Sequence, residues 1–200
     1  MSPSPISSDP GVSPAARRSR RAAALFALSA LLPGAAGGAV FETQEHALAR
    51  VFPAPARVER RTDFLSPAEV EAAQKAARAP IESAVVTRYA ALGPDGALLG
   101  TAYFDAHVVR TAKEVLLVVV VPDGSVRSVD VLAFGEPQDY LPRERWLERI
   151  EGKKAGDELF VGRALAHVSG ATLTTRAIAA AVRRVLALHA VLPAPGAPSR

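Results

Sequence analysis

The run VLLVVVV at residues 115–121 constrains this chain more than any other feature. A strand with one face in water alternates apolar and polar side chains, whereas a strand without a polar face has to be covered on both sides. The run therefore belongs at the centre of a sheet, with further chain packed above and below. Turns of sequence PDG stand at 94–96 and 122–124. Around them IESAVVTRYAAL (81–92), ALLGTAYFDA (97–106) and SVRSVDVLAF (125–134) read as strands. Short connections make an antiparallel meander of about four strands the simplest topology. In the last strand Val129, Val131 and Ala133 are expected on one face, with Arg127 at its edge.

Helical signals flank this sheet, so the fold class expected is α+β. Ser66, Pro67 and Glu69 form a capping-box signature that opens a helix over 67–78, closed before Pro80. YLPRERWLERIEGK at 140–153 suggests a short helix with Trp146 and Ile150 four apart on one side. The last helix, from about Thr174 to His189, places Ile178, Val182, Val185, Leu186 and His189 at helical spacing and is expected to lie flat on the sheet. Residues 40–65, interrupted by Pro53 and Pro55, read as a linker with a short helix before it. The domain then spans 66–190, and the Pro/Gly-rich residues 191–200 read as a flexible tail.

The N-terminal 39 residues have the organisation of an export signal. The basic run RRSRR at 17–21 precedes an uncharged stretch of eleven residues at 22–32, apolar but for Ser29, then Pro33, Gly34 and the small residues AAGGA at 35–39. Eleven residues fall short of the roughly 20 that span a bilayer. The wider uncharged window, 22–41, keeps an uncleaved N-terminal anchor open beside a cleaved signal peptide. Either delivers the folded part to the periplasm. The leader also explains the net charge of +4, because four arginines stand there against Asp9 alone. No comparable basic cluster remains elsewhere, so nucleic acid is not an expected partner.

The chain has no cysteine, which excludes disulfides, Cys-ligated clusters and the common structural zinc sites. Nucleophile-elbow, zincin, dinucleotide and P-loop motifs are missing; GKK at 152–154 lacks both the upstream glycine and the Ser or Thr. His46, His107, His167 and His189 are scattered and read as ordinary rather than metal-bound. What remains is SGATLTT at 169–175, immediately before the last helix. One reading is a helix start, with Ser or Thr as cap. The other is a phosphate site: Gly170 and Ala171 admit a ligand close to the backbone, Ser169, Thr172, Thr174 and Thr175 offer hydroxyls, and the helix N–H groups favour an anion.

VSGATLTTRAI at 168–178 resembles the flavinylation motif of the FMN-binding domain family, found in periplasmic subunits of the Rnf complex and of the sodium-translocating NADH:quinone reductase. The resemblance extends back to about residue 81, with Glu136 and Pro137 where the larger subunits carry an element beside the flavin. It implies FMN joined by a phosphoester to Thr172, an exported FAD-dependent FMN transferase to attach it, and redox donor and acceptor proteins in an electron-transport chain. It implies no independent catalytic activity. Tyr140, Trp146 and the 135–137 turn are candidates for a wall against the flavin ring, and packing is an equal reading for both aromatics; His107, after Asp105 at a strand end, is within reach of the ring but reads mainly as structural. One departure stands out, since Ala166 occupies the place of the family's usual Asp. The competing reading is an exported, noncovalent ligand-binding or sensory module in which SGATLTT only caps a helix.

Overall fold

The computed structural model describes residues 39–194. The leader and its cleavage or anchoring therefore lie almost wholly outside the described residues, as does the end of the tail. Six strands form one antiparallel sheet: β1 (Ala39–Val40), β2 (Arg57–Phe64), β3 (Val85–Leu92), β4 (Leu98–Val109), β5 (Ala112–Val120) and β6 (Val126–Phe134), in the order β1-β6-β5-β4-β3-β2. The helices are α1 (Gln44–Val51), α2 (Pro67–Ala77), α3 (Glu144–Leu147) and α4 (Thr172–Val191). The expected meander is β3 to β6, and the α+β class holds. No helix among the described residues is long and apolar enough to cross a membrane.

β5 is covered on both sides, as its composition demands. Leu116, Val118 and Val120 are buried on one face with Tyr103 of β4 and with Ile178, Val182, Val185 and Leu186 of α4. Leu117 and Val119 are buried on the other face, with Ala102, Leu132, and Ala47 and Phe52 of α1 and its cap. Each such side chain contributes about 1.5–3 kcal/mol by leaving water. Register shifts between β5 and β6 let Val126 and Val129 both reach the α4 face. Val131 packs there too, while Ala133 is half-buried and belongs to neither cluster. Arg127 lies not at the edge of that face but on the opposite one, its guanidinium 4.8 Å from the Phe52 ring centroid and bonded to the Val51 carbonyl.

Two stretches differ from the sequence reading. Residues 40–65 are not a linker: they supply α1, which covers the second face, and edge strand β2, which pairs with β3 along its whole length. The alternation of RVERRTDF is masked by charge, yet that charge suits an edge strand. Asp63 faces inward and accepts two bonds from Arg88, at 2.8 and 3.2 Å, and Arg88 is 1% exposed. The helix expected over 140–153 is broken into a 3-10 turn at 138–140, then α3, then a second 3-10 turn at 148–150. Pro142 lacks an amide to continue the first turn and disfavours helical geometry before it.

Candidate functional site

α4 begins two residues earlier than its apolar stripe suggests, at Thr172, with Ala171 as its N-cap. No side chain caps it. Thr175 is fully buried and donates back to the carbonyls of Ala171 (3.0 Å) and Thr172 (3.1 Å). Thr172 makes a long 3.4 Å contact to the Val168 carbonyl and stays part-exposed. Gly170, at φ +81°, turns the chain into the helix, in a conformation that side chains with a Cβ rarely adopt. The first-turn amides are thus left without a side-chain acceptor, and there is no acidic residue in that turn. A helix end in this condition attracts an anion.

A hollow of about 150 Å³ opens at this end, lined by Arg110, Tyr140, Gly170, Thr172, Leu173 and Thr174. Arg110 was not among the residues expected here. It sits in the two-residue turn Arg110–Thr111 between β4 and β5, at φ +55°, with its guanidinium 5.1 Å from the Tyr140 ring centroid. Glu136 does not line the hollow, yet it fixes this turn: its Oε1 accepts from the Thr111 amide (3.1 Å) and hydroxyl (3.0 Å). Those bonds, the amide first, hold its carboxyl below the ordinary glutamate range. The Pro137 carbonyl accepts from the Tyr140 amide at 2.9 Å, so Pro137 sets the position of the ring without touching the hollow. Gly135 permits the approach of this whole segment, because a Cβ there would lie 2.6 Å from the Ala112 Cβ.

The structure therefore brings Thr172, Gly170, Thr174 and Tyr140 together. Ala171 is buried as the cap, Ser169 is exposed outside the hollow, and Thr175 points into the helix rather than toward a ligand. Trp146 also lies elsewhere. It is a core residue, 5% exposed, with its indole N–H donating to the Ala166 carbonyl at 2.8 Å.

His107 is less ordinary than its sequence surroundings suggest. Its Nδ1 is 2.8 Å from Asp105, its Nε2 is 2.8 Å from Glu114, and Arg184 of α4 closes the group through two bonds to Asp105. Burial opposes its charge, but the two carboxylates prevail and push its pKa up to about 9. Among the described residues no group of three or more His, Cys, Asp or Glu side chains is arranged to hold a metal ion.

Comparison with known proteins bears directly on the helix-end hollow. Residues 112–187 match the family model of the FMN-binding domain. No curated protein and no solved structure matches the chain. The matched segment runs from the start of β5 into the last turns of α4, and so contains Glu136, Pro137, Tyr140 and all of SGATLTT. The resemblance read from the motif is borne out over residues 112–187, and the match suggests a flavin-binding, electron-transfer function. Arg110 and His107 precede the matched residues.

The residues present fit the phosphate end of FMN. Uncapped amides, Gly170 and the Arg110 cation supply donors and positive charge around the Thr172 hydroxyl. The hollow itself is smaller than the ~300 Å³ at which small-molecule pockets begin. It has room for a phosphate, and the apolar surface continuing from it is the half-buried Tyr140 ring and Leu173, which is 53% exposed.

Proposed function

We propose that this chain is an exported electron-transfer flavoprotein whose FMN is joined through a phosphoester to Thr172, with no substrate turnover of its own. The observation that supports it is the uncapped N-terminus of α4, which presents a part-exposed threonine hydroxyl beside Arg110. A helix start built only for capping would use one of its hydroxyls as the cap, and none is so used. That weighs against a noncovalent module in which SGATLTT serves the helix alone.

Thr172 has no carboxylate or imidazole bonded to its hydroxyl, so it needs an external base. An exported transferase using FAD supplies one. The Thr172 oxygen bonds to the FMN phosphorus, the diphosphate P–O bond of FAD breaks, AMP leaves, and the hydroxyl proton passes to the transferase's base. When bound, FMN supplies one- and two-electron redox chemistry. This chain's residues would hold the phosphate by the α4 amides and Arg110 and would offer Tyr140 and Leu173 as the apolar surface for the ring, which would exchange electrons with donor and acceptor proteins of a periplasmic chain.

The test is co-expression of the full chain with an exported FMN transferase. The expected result is a mass increase of one FMN and flavin fluorescence that survives denaturation, both lost in Thr172→Ala. Yellow colour that disappears on denaturation means noncovalent FMN and ends the phosphoester. No flavin in either state ends the proposal.

A further inference from the structure

A second concave site lies between the end of α2, the 154–160 loop and α4, with a volume of about 300 Å³. It shares no residue with the Thr172 hollow, and Arg183 stands 11 residues beyond Thr172, or about 16 Å along α4 at 1.5 Å per residue. Its lining carries four cations, Lys75, Arg78, Lys154 and Arg183, against Asp157 and Glu158. The two acids are already engaged: Asp157 accepts from the Lys154 amide at 2.9 Å, and Glu158 pairs with Arg163 at 2.6 Å. Lys154 pairs with Asp123 at 3.0 Å. Among the described residues Lys75, Arg78 and Arg183 have no carboxylate partner.

Arg183 is the informative member. It is half-buried, with Nε donating to the Ala77 carbonyl at 2.8 Å and Nη1 to the Leu159 carbonyl at 2.6 Å. Its guanidinium lies 4.1 Å from the Phe160 ring centroid, and those of Arg78 and Arg163 approach the same ring at 5.6 and 5.8 Å. A guanidinium has five N–H groups, so three of Arg183's remain without a protein acceptor. Burying a cation without a counter-ion is unfavourable, and burial together with neighbouring Arg184 and Arg78 presses its pKa below the usual arginine value. Of the three guanidinium groups on this ring, Arg163 already has Glu158, whereas among the described residues Arg78 and Arg183 have no carboxylate and are left to share an added anion.

We infer that this hollow binds a small phosphate-class oxyanion, held by the free N–H groups of Arg183 with Arg78 and Lys75 closing over it. A bidentate match between guanidinium and phosphate oxygens suits the planar donors left on Arg183. The size of the hollow admits a diphosphate or a phosphorylated small molecule. This assignment is independent of the flavin reading, because none of its residues touches the Thr172 end.

Pyrophosphate titrated into the full chain, with ionic strength held constant by sodium chloride and binding followed by amide NMR or calorimetry, tests it. Saturable binding is expected, weakened about tenfold by Arg78→Gln or Lys75→Gln, since a hydrogen bond to a charged group is worth roughly that factor or more. Both side chains are exposed, so these variants keep the fold even if Arg183→Gln does not. Because the Thr172 end can also take a phosphate, binding is read from the amide shifts of residues 154–160, which Arg110→Gln is expected to leave unchanged. Running ADP beside pyrophosphate separates the sources: equal affinities assign a free inorganic anion, and tighter ADP binding assigns an organic phosphate. Failure to saturate, or equal binding by a Lys75→Gln/Arg78→Gln double variant, overturns the site.

Discussion

His107 on β4 stands directly opposite Glu114 on β5, their side chains joined at 2.8 Å on the face that α4 covers. Glu114 is fully buried, and its second carboxylate oxygen has no protein partner. Asp105 holds the other nitrogen of the same ring. A histidine between two carboxylates is stabilised as a cation, and its charge in turn keeps buried Glu114 and half-buried Asp105 tolerable.

The pH dependence follows from the sign of the shift. The folded-state pKa of His107, at about 9, lies above its unfolded value, so its contribution is complete below about pH 6.5 and is lost as pH rises through 9. The contribution is on the order of 2–3 kcal/mol. Urea denaturation of wild type is expected to show a falling midpoint between pH 7 and 10, and His107→Gln a lower midpoint with a flatter profile. Parallel profiles for the two proteins would remove His107 as the cause.

Arg110 and Glu136 act as a pair on the Thr172 hollow, one supplying charge and the other fixing the turn that carries it. Arg110→Asn keeps a residue that tolerates positive φ while removing the cation. It is expected to slow FMN attachment by the transferase about tenfold, in line with losing one charge-assisted contact to phosphate. Glu136→Gln, which keeps an acceptor for Thr111, is expected to slow it less. Time courses of flavin fluorescence on denatured samples measure both. An Arg110→Asn rate equal to wild type would take Arg110 out of the site.

The legible parts of the chain are those where one local pattern decides the outcome. Residues 115–121 have no polar face, so central placement follows from composition alone, and the capping box at Ser66 and Glu69 forms as its spacing requires. Edge strand β2 was hidden because five of its eight side chains are charged and the alternation is visible only once Asp63 is seen to answer buried Arg88. Trp146 and Ile150 are both buried as their spacing implies, though on separate short turns rather than one helix.

Within the site, SGATLTT could be read because glycine and hydroxyl residues ahead of an amphipathic helix carry a physical meaning. Arg110 could not. Its place depends on the β4–β5 register, which a two-residue turn sets with a non-glycine residue at positive φ, and that choice leaves no compositional trace. The Glu114 partnership of His107 is hidden for the same reason, since seven residues of sequence separate a pair that the hairpin places face to face.

Gly135 ties the fold to the site through contact rather than chemistry. An added Cβ would meet the Ala112 Cβ at 2.6 Å and the Lys113 backbone at 3.1 and 3.2 Å, with nothing flexible to yield. Gly135→Ala is expected to destabilise by about 1–3 kcal/mol, as overpacking does. Ala112→Gly in the same chain relieves the closest contact and is expected to restore part of the loss, read from chemical denaturation of the four proteins of the cycle. Additive effects would show that the two positions do not meet.

The hydroxyl at 172 can be separated from the methyl group that accompanies it. Thr172→Ser retains an oxygen at the same place on the first turn of α4, where serine is no worse a helix former than threonine. Attachment requires only that oxygen and its approach to phosphorus, so the serine variant is expected to accept FMN within a few-fold of the wild-type rate. Thr172→Val keeps the shape, removes the 3.4 Å contact to Val168, and is expected to carry no flavin after denaturation while unfolding within about 1 kcal/mol of wild type. Covalent flavin on the valine variant, located by peptide mass to Ser169 or Thr174, would move the anchor to another hydroxyl of the segment. Its absence there and presence in serine would identify the reacting atom as the oxygen at position 172.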